Sequence, residues 1–178
     1  ELELYSPDVI HSFWIPALGG KVDVIPGRRT RLTLEPTRTG VFRGVCAEYC
    51  GTAHAHMAFD VVVMERFAFA EWLERQRQPA AAPIEPMAAR GREHFFANGC
   101  AACHTVTGTE ARGHVGPNLT HVGSRRSVGA GTVANDPDGF VHWLARTNHV
   151  KPGVHMPHFG MLPRGELGAL AAYLESLQ

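Results

Sequence analysis

The sequence predicts an all-β unit followed by an all-α unit. Three observations carry that prediction. Up to about residue 66, short alternating or β-branched apolar runs stand between turn signals. From residue 87 onward, apolar residues recur at helical spacing. Between the two, Pro79, Pro83 and Pro86 fall within eight residues.

In the first unit Leu2 and Leu4, then Leu32 and Leu34, alternate with polar neighbours, as half-buried strands do. Val22, Val24 and Val61-Val62-Val63 are β-branched and suit a pleated surface. Gly19-Gly20, Pro26-Gly27, Pro36, Gly40 and Gly51 separate these runs, which points to a sandwich or barrel. Phe67 to Arg77 reads as a helix with Phe69, Trp72 and Leu73 on one face, closing a first domain over 1–77. Residues 78–86 read as an extended proline-rich spacer. Residues 87–178 form the second domain. Gly91 and Phe95 lie on its first helix. Asp136 is an N-cap with Pro137 at the first helical position, starting a helix through Phe140, Trp143 and Leu144. Pro163 to Leu177 is a terminal helix with Leu167, Leu170, Ala171 and Leu174 on its apolar face. Gly91 would let the first helix approach the last near Tyr173, and Met161 reads as core.

The 178 residues carry 17 basic and 17 acidic side chains. Up to Gln78 there are 9 basic and 10 acidic residues, and beyond it 8 and 7. Neither part shows the basic stripe of a nucleic-acid binder, so no nucleic-acid partner is expected. Long-range steering of charged partners should be weak. No apolar run reaches transmembrane length, and no signal peptide is evident. The four cysteines fall into two motifs, C-x-x-x-C and C-x-x-C-H, so each pair is expected to serve metal chemistry rather than a structural disulfide.

The first motif lies in Cys46-Ala47-Glu48-Tyr49-Cys50-Gly51-Thr52-Ala53-His54-Ala55-His56-Met57. Thiolate and thioether are soft ligands and imidazole suits copper, so the set favours copper over magnesium or calcium. A mononuclear blue-copper site needs one Cys, and here a second is left over. Two cysteine sulfurs can instead bridge two coppers, each then needing one imidazole and one weak donor. His54 and a more distant His would supply nitrogens, and Met57 and a backbone carbonyl the weak positions. A Cys2His2 zinc site and a Cys46–Cys50 disulfide also account for the two cysteines.

The loop fills every position of C-x-E-x-C-x-x-x-H-x-x-M and resembles the dinuclear copper (CuA) loop of cytochrome c oxidase subunit II. The segment Asp8-Val9-Ile10-His11-Ser12-Phe13-Trp14-Ile15-Pro16 resembles the same family. The resemblance implies a cupredoxin-like Greek-key sandwich. It implies two coppers held by His11, Cys46, Cys50, His54, Met57 and the main-chain carbonyl of Glu48. It also gives the Glu48 carboxylate a magnesium ion at the boundary with a catalytic subunit. Trp14 and Tyr49 are candidates for electron entry, and with Phe13 they also read as a shell that excludes water. His56 is expected not to be a ligand.

Cys100-Ala101-Ala102-Cys103-His104 is the c-type haem attachment motif. Cys100 and Cys103 would form the thioethers, and His104 would bind iron. With Gly116-Pro117-Asn118-Leu119 and Met156-Pro157 downstream, residues 87–178 resemble class I cytochrome c, an all-α fold. That resemblance has the Pro117 carbonyl bonded to His104 and Met156 as the sixth ligand. His155 and His158 are the rival ligands. The remaining histidines, 94, 114, 121, 142 and 149, read as surface or satisfied groups.

The order copper domain then cytochrome resembles subunit II of the cytochrome c-fused bacterial haem–copper oxidases. The resemblance implies an electron-transfer module: covalent haem c passes electrons to dinuclear copper, which feeds an oxygen-reducing, proton-translocating catalytic subunit I. This segment alone would carry electrons only, and no residue in it is expected to be catalytic. An upstream donor, a quinol–cytochrome c reductase or a small carrier, is implied. So are membrane helices outside these residues and a place on the periplasmic or outer face of a bacterial cell membrane. An entry module of a nitrogen-oxide reductase and a non-catalytic copper-binding protein remain alternatives.

Overall fold

The computed structural model describes all residues, 1–178. The chain divides into two compact units, Glu1–Ala70 and Glu71–Gln178.

The first unit is built from antiparallel strands. They are β1 (Leu2–Leu4), β2 (His11–Trp14), β3 (Val22–Val24), β4 (Thr30–Leu32), β5 (Gly40–Cys46) and β6 (Ala58–Val63). One sheet pairs β1 with β4, and the other has the order β3-β2-β5-β6. Ile15, Val24, Phe42 and Ala58 are its buried apolar side chains. Strand pairing positions the metal-type residues. Phe13 of β2 lies opposite Cys46 at the end of β5, and Val45 lies opposite Ala58 at the start of β6. Cys46 N donates to Met57 O at 3.0 Å, and Ala47 N to Ser12 O at 2.8 Å. The His11 strand and both ends of the 46–57 loop are therefore fastened together by backbone hydrogen bonds.

α1 (Arg66–Arg77) follows, and the division between units falls inside it. None of its residues is buried, and Phe67 is 75% exposed. The apolar face read from Phe69, Trp72 and Leu73 is thus not sealed in a core.

The second unit is helical. α2 (Pro86–Ala97), α3 (Cys100–Cys103), α4 (Pro137–Val150) and α5 (Arg164–Ser176) surround one core, with a short hairpin of β7 (Ser127–Val128) and β8 (Val133–Ala134). Pro86 opens α2, where its missing N–H costs nothing. Asp136 caps α4 as its sequence suggests, its carboxylate accepting from Gly139 N at 2.7 Å. Phe95, Phe140, Leu144, Leu167, Leu170 and Leu174 fill the core. Part of the proline-rich segment belongs to this unit. Ala80 packs against the core and its N–H donates to Thr107 O at 2.9 Å. The His121 ring lies between the carbonyls of Gln178, at 2.7 Å, and Gln78, at 3.1 Å.

Gly91 on α2 meets α5 where it was expected to. A Cβ there would lie 1.8 Å from Ala169 O and 2.8 Å from Tyr173 Cβ. Met161 departs from its sequence reading: it is 70% exposed. It sits in a turn closed by Leu162 N to Phe159 O, whose flanking Phe159 and Leu162 pack on the core instead.

Tyr173 is 1% exposed and stacks edge-on with Phe95, yet its hydroxyl has no hydrogen-bond partner. A buried hydroxyl without a partner carries its desolvation cost uncompensated. Tyr173→Phe is therefore expected to stabilise the second unit by about 1 kcal/mol. Denaturant unfolding of the two proteins side by side measures it, and a loss of stability would show that the hydroxyl is satisfied.

Candidate metal centres

The 46–57 loop and the start of β2 bring five side chains and one carbonyl into a single cluster. Cys46 Sγ and Cys50 Sγ lie 3.7 Å apart. His11 Nδ1 is 3.7 Å from Cys46 Sγ, and His54 Nδ1 is 3.6 Å from Cys50 Sγ. Met57 Sδ lies 3.7 Å from Cys50 Sγ, and the Cys46 thiol donates to Glu48 O at 3.2 Å. Each sulfur thus has one imidazole nitrogen and one weak donor beside it. His11, Cys46 and Cys50 keep their ligand atoms within 4.8 Å of one another.

The surroundings hold this arrangement in place. Asp8 Oδ1 lies 3.1 Å from His11 Nε2, so the ring is fastened at one nitrogen while the other faces sulfur. The His11 hydrogen bond, helped by the Val9 main chain and the Ser6 hydroxyl, holds the Asp8 carboxyl down at about 2. Burial lowers the His11 pKa, but hydrogen bonds to Cys46 and Asp8 outweigh it and raise the net value. Burial would likewise raise the Cys46 thiol. Main-chain contacts at Glu48 and Ser12 and the two imidazoles overcome that and bring it to about 6. Cys50 is pushed up to about 11 by burial and by the adjacent Cys46 sulfur. One proton therefore leaves the thiol pair far more readily than the second.

Other sequence candidates are placed differently. His56 is exposed and takes no part in the cluster's contacts. Tyr49 is 75% exposed, with its ring edge-on to His54 at 5.8 Å, so it is no part of a buried shell. Phe13 stacks on Phe59 at 4.9 Å, and Trp14 is half-buried. The Glu48 carboxylate accepts from Tyr49 N. Asp8 had been given no role on sequence grounds, although an aspartate three residues before a candidate histidine is a readable signal.

The second centre is organised by α3. The Cys100–Cys103 turn is preceded by Gly99 at φ 74°, a left-handed residue that lets α2 end and α3 begin at once. Cys100 packs against the core, and burial pushes its thiol up to about 11. His104 is buried, and its Nδ1 lies 2.8 Å from Pro117 O. That contact fixes the tautomer and leaves Nε2 as the free donor atom. A Cβ at Gly116 would sit 2.4 Å from His104 Cε1, so the loop fits against the ring only as glycine. Met156 is half-buried against the same core, and Thr147 Oγ1 donates to its carbonyl at 3.1 Å.

Both donor sets fit the groups the sequence suggests. The paired sulfurs, each with an imidazole and a weak donor, suit copper and leave no hard oxygen cage. The C-x-x-C-H turn with an oriented imidazole suits a covalently attached haem. If Met156 is the sixth ligand, Met156→Ala abolishes the weak near-infrared sulfur-to-iron band of the oxidised protein. Survival of that band would pass the role to another residue.

A β unit with a sulfur–imidazole copper-type cluster, joined to a helical unit with a haem-attachment turn, defines a two-centre redox protein. The family described as the periplasmic domain of cytochrome c oxidase subunit II matches residues 1–65, and the cytochrome c family matches 88–178. The chain therefore joins a first unit that matches the periplasmic domain of cytochrome c oxidase subunit II to a second unit, just over half of the chain, that belongs to the cytochrome c family. It is 39% identical over 176 residues to cytochrome c oxidase subunit 2 of Alkalihalophilus pseudofirmus, covering 99% of this chain and 51% of that protein. It is 37% identical over 187 residues to the same subunit of Bacillus sp. (strain PS3), covering 98% of this chain and 52% of that protein. The chain thus spans about half the length of the curated relatives it matches. A crystal structure of the periplasmic domain of cytochrome oxidase subunit II of Bradyrhizobium japonicum is 42% identical. It covers 41% of this chain and 53% of that one, with a TM-score of 0.40.

Proposed function

We propose that this chain is the electron-transfer module of a bacterial haem–copper terminal oxidase, delivering electrons to a separate oxygen-reducing, proton-translocating subunit I. The observation that carries this reading is the 3.7 Å pair of sulfurs with one imidazole beside each. Cys46 and Cys50 would hold two coppers together with the imidazoles of His11 and His54 and, as weaker donors, Met57 and the Glu48 carbonyl. Cys100 and Cys103 would hold one haem c, with His104 and Met156 on the iron. When bound, the two groups supply reversible one-electron chemistry.

The protein's own part is to keep that chemistry from becoming anything else. Every donor comes from the chain, so neither centre offers an open position for substrate. The sheet fixes Cys46 and Met57 through main-chain bonds, and Asp8 and Pro117 each hold one imidazole by one ring nitrogen, so that the other would be left to bind a metal. Ligands held this firmly move little when charge arrives, which favours fast transfer. The upstream donor is a quinol–cytochrome c reductase or a small carrier. The working protein is held at the outer face of the cell membrane by helices beyond these residues. Within them, no helix is long and apolar enough to cross a membrane.

Flash reduction of the haem, followed at the copper absorption band, tests the proposal. Both units lie on one continuous chain, so the encounter is intramolecular. The expected rate is independent of protein concentration and weakly dependent on salt, given the balanced charge of each part. A rate rising in proportion to concentration would show transfer between molecules and defeat the proposal.

A further inference from the structure

We propose that a cleft on the flank of α4, lined by none of Cys100, Cys103, His104 and Met156, is a binding site for a phosphate oxyanion. It is an open cleft of about 350 Å³ lined by Ala145, Arg146, Asn148, His149 and His158. Four of these five side chains carry N–H donors, and none is a carboxylate. Within the protein, Arg146, Asn148, His149 and His158 make no side-chain hydrogen bond or ion pair. Arg29, Arg31 and Arg77 each lie beside a glutamate, whereas the Arg146 guanidinium lines a cleft that offers it no carboxylate.

The backbone explains how these donors come together. α4 buries the stripe Phe140, Leu144 and Thr147, and the cleft residues lie off that stripe. At Arg146 the chain leaves helical geometry, with φ −141° and ψ 34°. There the loop after Met156 crosses the helix: Phe159 N donates to Leu144 O at 2.8 Å, and a Cβ at Gly160 would lie 2.8 Å from Ala145 O. The same crossing brings His158 to the cleft that Arg146 and His149 also line. A guanidinium fork matches phosphate oxygens in pairs, and a neutral imidazole still offers one N–H. The C-terminal end of α4 opposes an anion, but by less than one charge-assisted hydrogen bond contributes. Occupancy would link α4 to the 156–160 loop from outside.

Free phosphate and a phosphodiester lipid headgroup offer the same chemistry. The test uses the whole haem-bearing chain at fixed ionic strength set with chloride. One arm titrates inorganic phosphate by phosphorus NMR, and the other sediments the chain with phosphatidylcholine vesicles with and without phosphatidylglycerol. The expected result is saturable binding in one arm, weakened about tenfold by Arg146→Gln and unchanged by Arg164→Gln on α5. Saturation by inorganic phosphate identifies the free ion as sufficient. Sedimentation only with phosphatidylglycerol identifies the headgroup. Absence of saturation in both arms, or equal binding by Arg146→Gln with an unchanged melting temperature, overturns the proposal.

Discussion

Cys50→Ser is expected to reduce copper from two per chain to at most one. It removes the sulfur that lies within 3.7 Å of Cys46, His54 and Met57 alike. A hydroxyl is a hard, weakly acidic donor and does not replace a bridging thiolate. His54 and Met57 then face no shared sulfur, and the remaining Cys46 and His11 resemble half of a mononuclear site. Metal analysis of the reconstituted wild-type chain should give two coppers, with an EPR pattern of one unpaired electron shared between both. The variant should show the four-line pattern of an isolated copper, or none. A four-line pattern from the wild type would refute the paired arrangement itself. The haem spectrum should not change in Cys50→Ser, because its attachment residues all lie in the second unit.

Gly91→Ala carries the largest expected loss of stability. The new methyl would meet the main-chain oxygen of Ala169 at 1.8 Å, and neither α2 nor α5 can yield without moving the whole helix crossing. Phe95 and Tyr173 stack at that crossing, so separation of the helices opens the core at its aromatic centre. Overpacking of this kind costs on the order of 3 kcal/mol. For a unit of this size that lowers the melting temperature by roughly 10 to 20 °C. Gly168→Ala is the control. Its added carbon meets nothing within 4 Å and sits in α5, so it should stabilise by up to about 1 kcal/mol. Equal melting temperatures for Gly91→Ala and the wild type would mean that the crossing is looser than the structure has it.

The parts that were legible in the sequence share a property: their signal is local. Asp136-Pro137 encodes a cap in two neighbouring residues, and the loop pattern from Cys46 to Met57 encodes donors within one turn-sized segment. The Gly91 crossing was readable because a glycine in a helix needs a packing reason. What escaped depends on distant partners. The apolar spacing of α1 looks like a buried face, but none of its residues is buried, and spacing alone does not say how deeply a face is covered. Asp8 gains its role only when β2 turns His11 toward Cys46. The β7–β8 hairpin has strands of two residues, too short for alternation, around Gly129, Ala130 and Gly131 with φ of 63°, 61° and 81°. The break at Arg146 is imposed by a loop thirteen residues further on.

The two donor sets differ in how they are spread along the chain, and that separates their assembly in time. Both proposed thioether positions and the proposed iron-binding imidazole fall within residues 100–104, so an emerging, still unfolded segment already contains the whole attachment motif. The proposed copper donors run from His11 to Met57 and meet only after Phe13 has paired with Cys46 and Val45 with Ala58. On the proposed assignment, copper loading is therefore expected to be a late event that reports a finished sheet, whereas haem attachment needs no such sheet. On that assignment, the Cys46 and Cys50 thiols have to stay reduced and unoccupied until the first unit is complete.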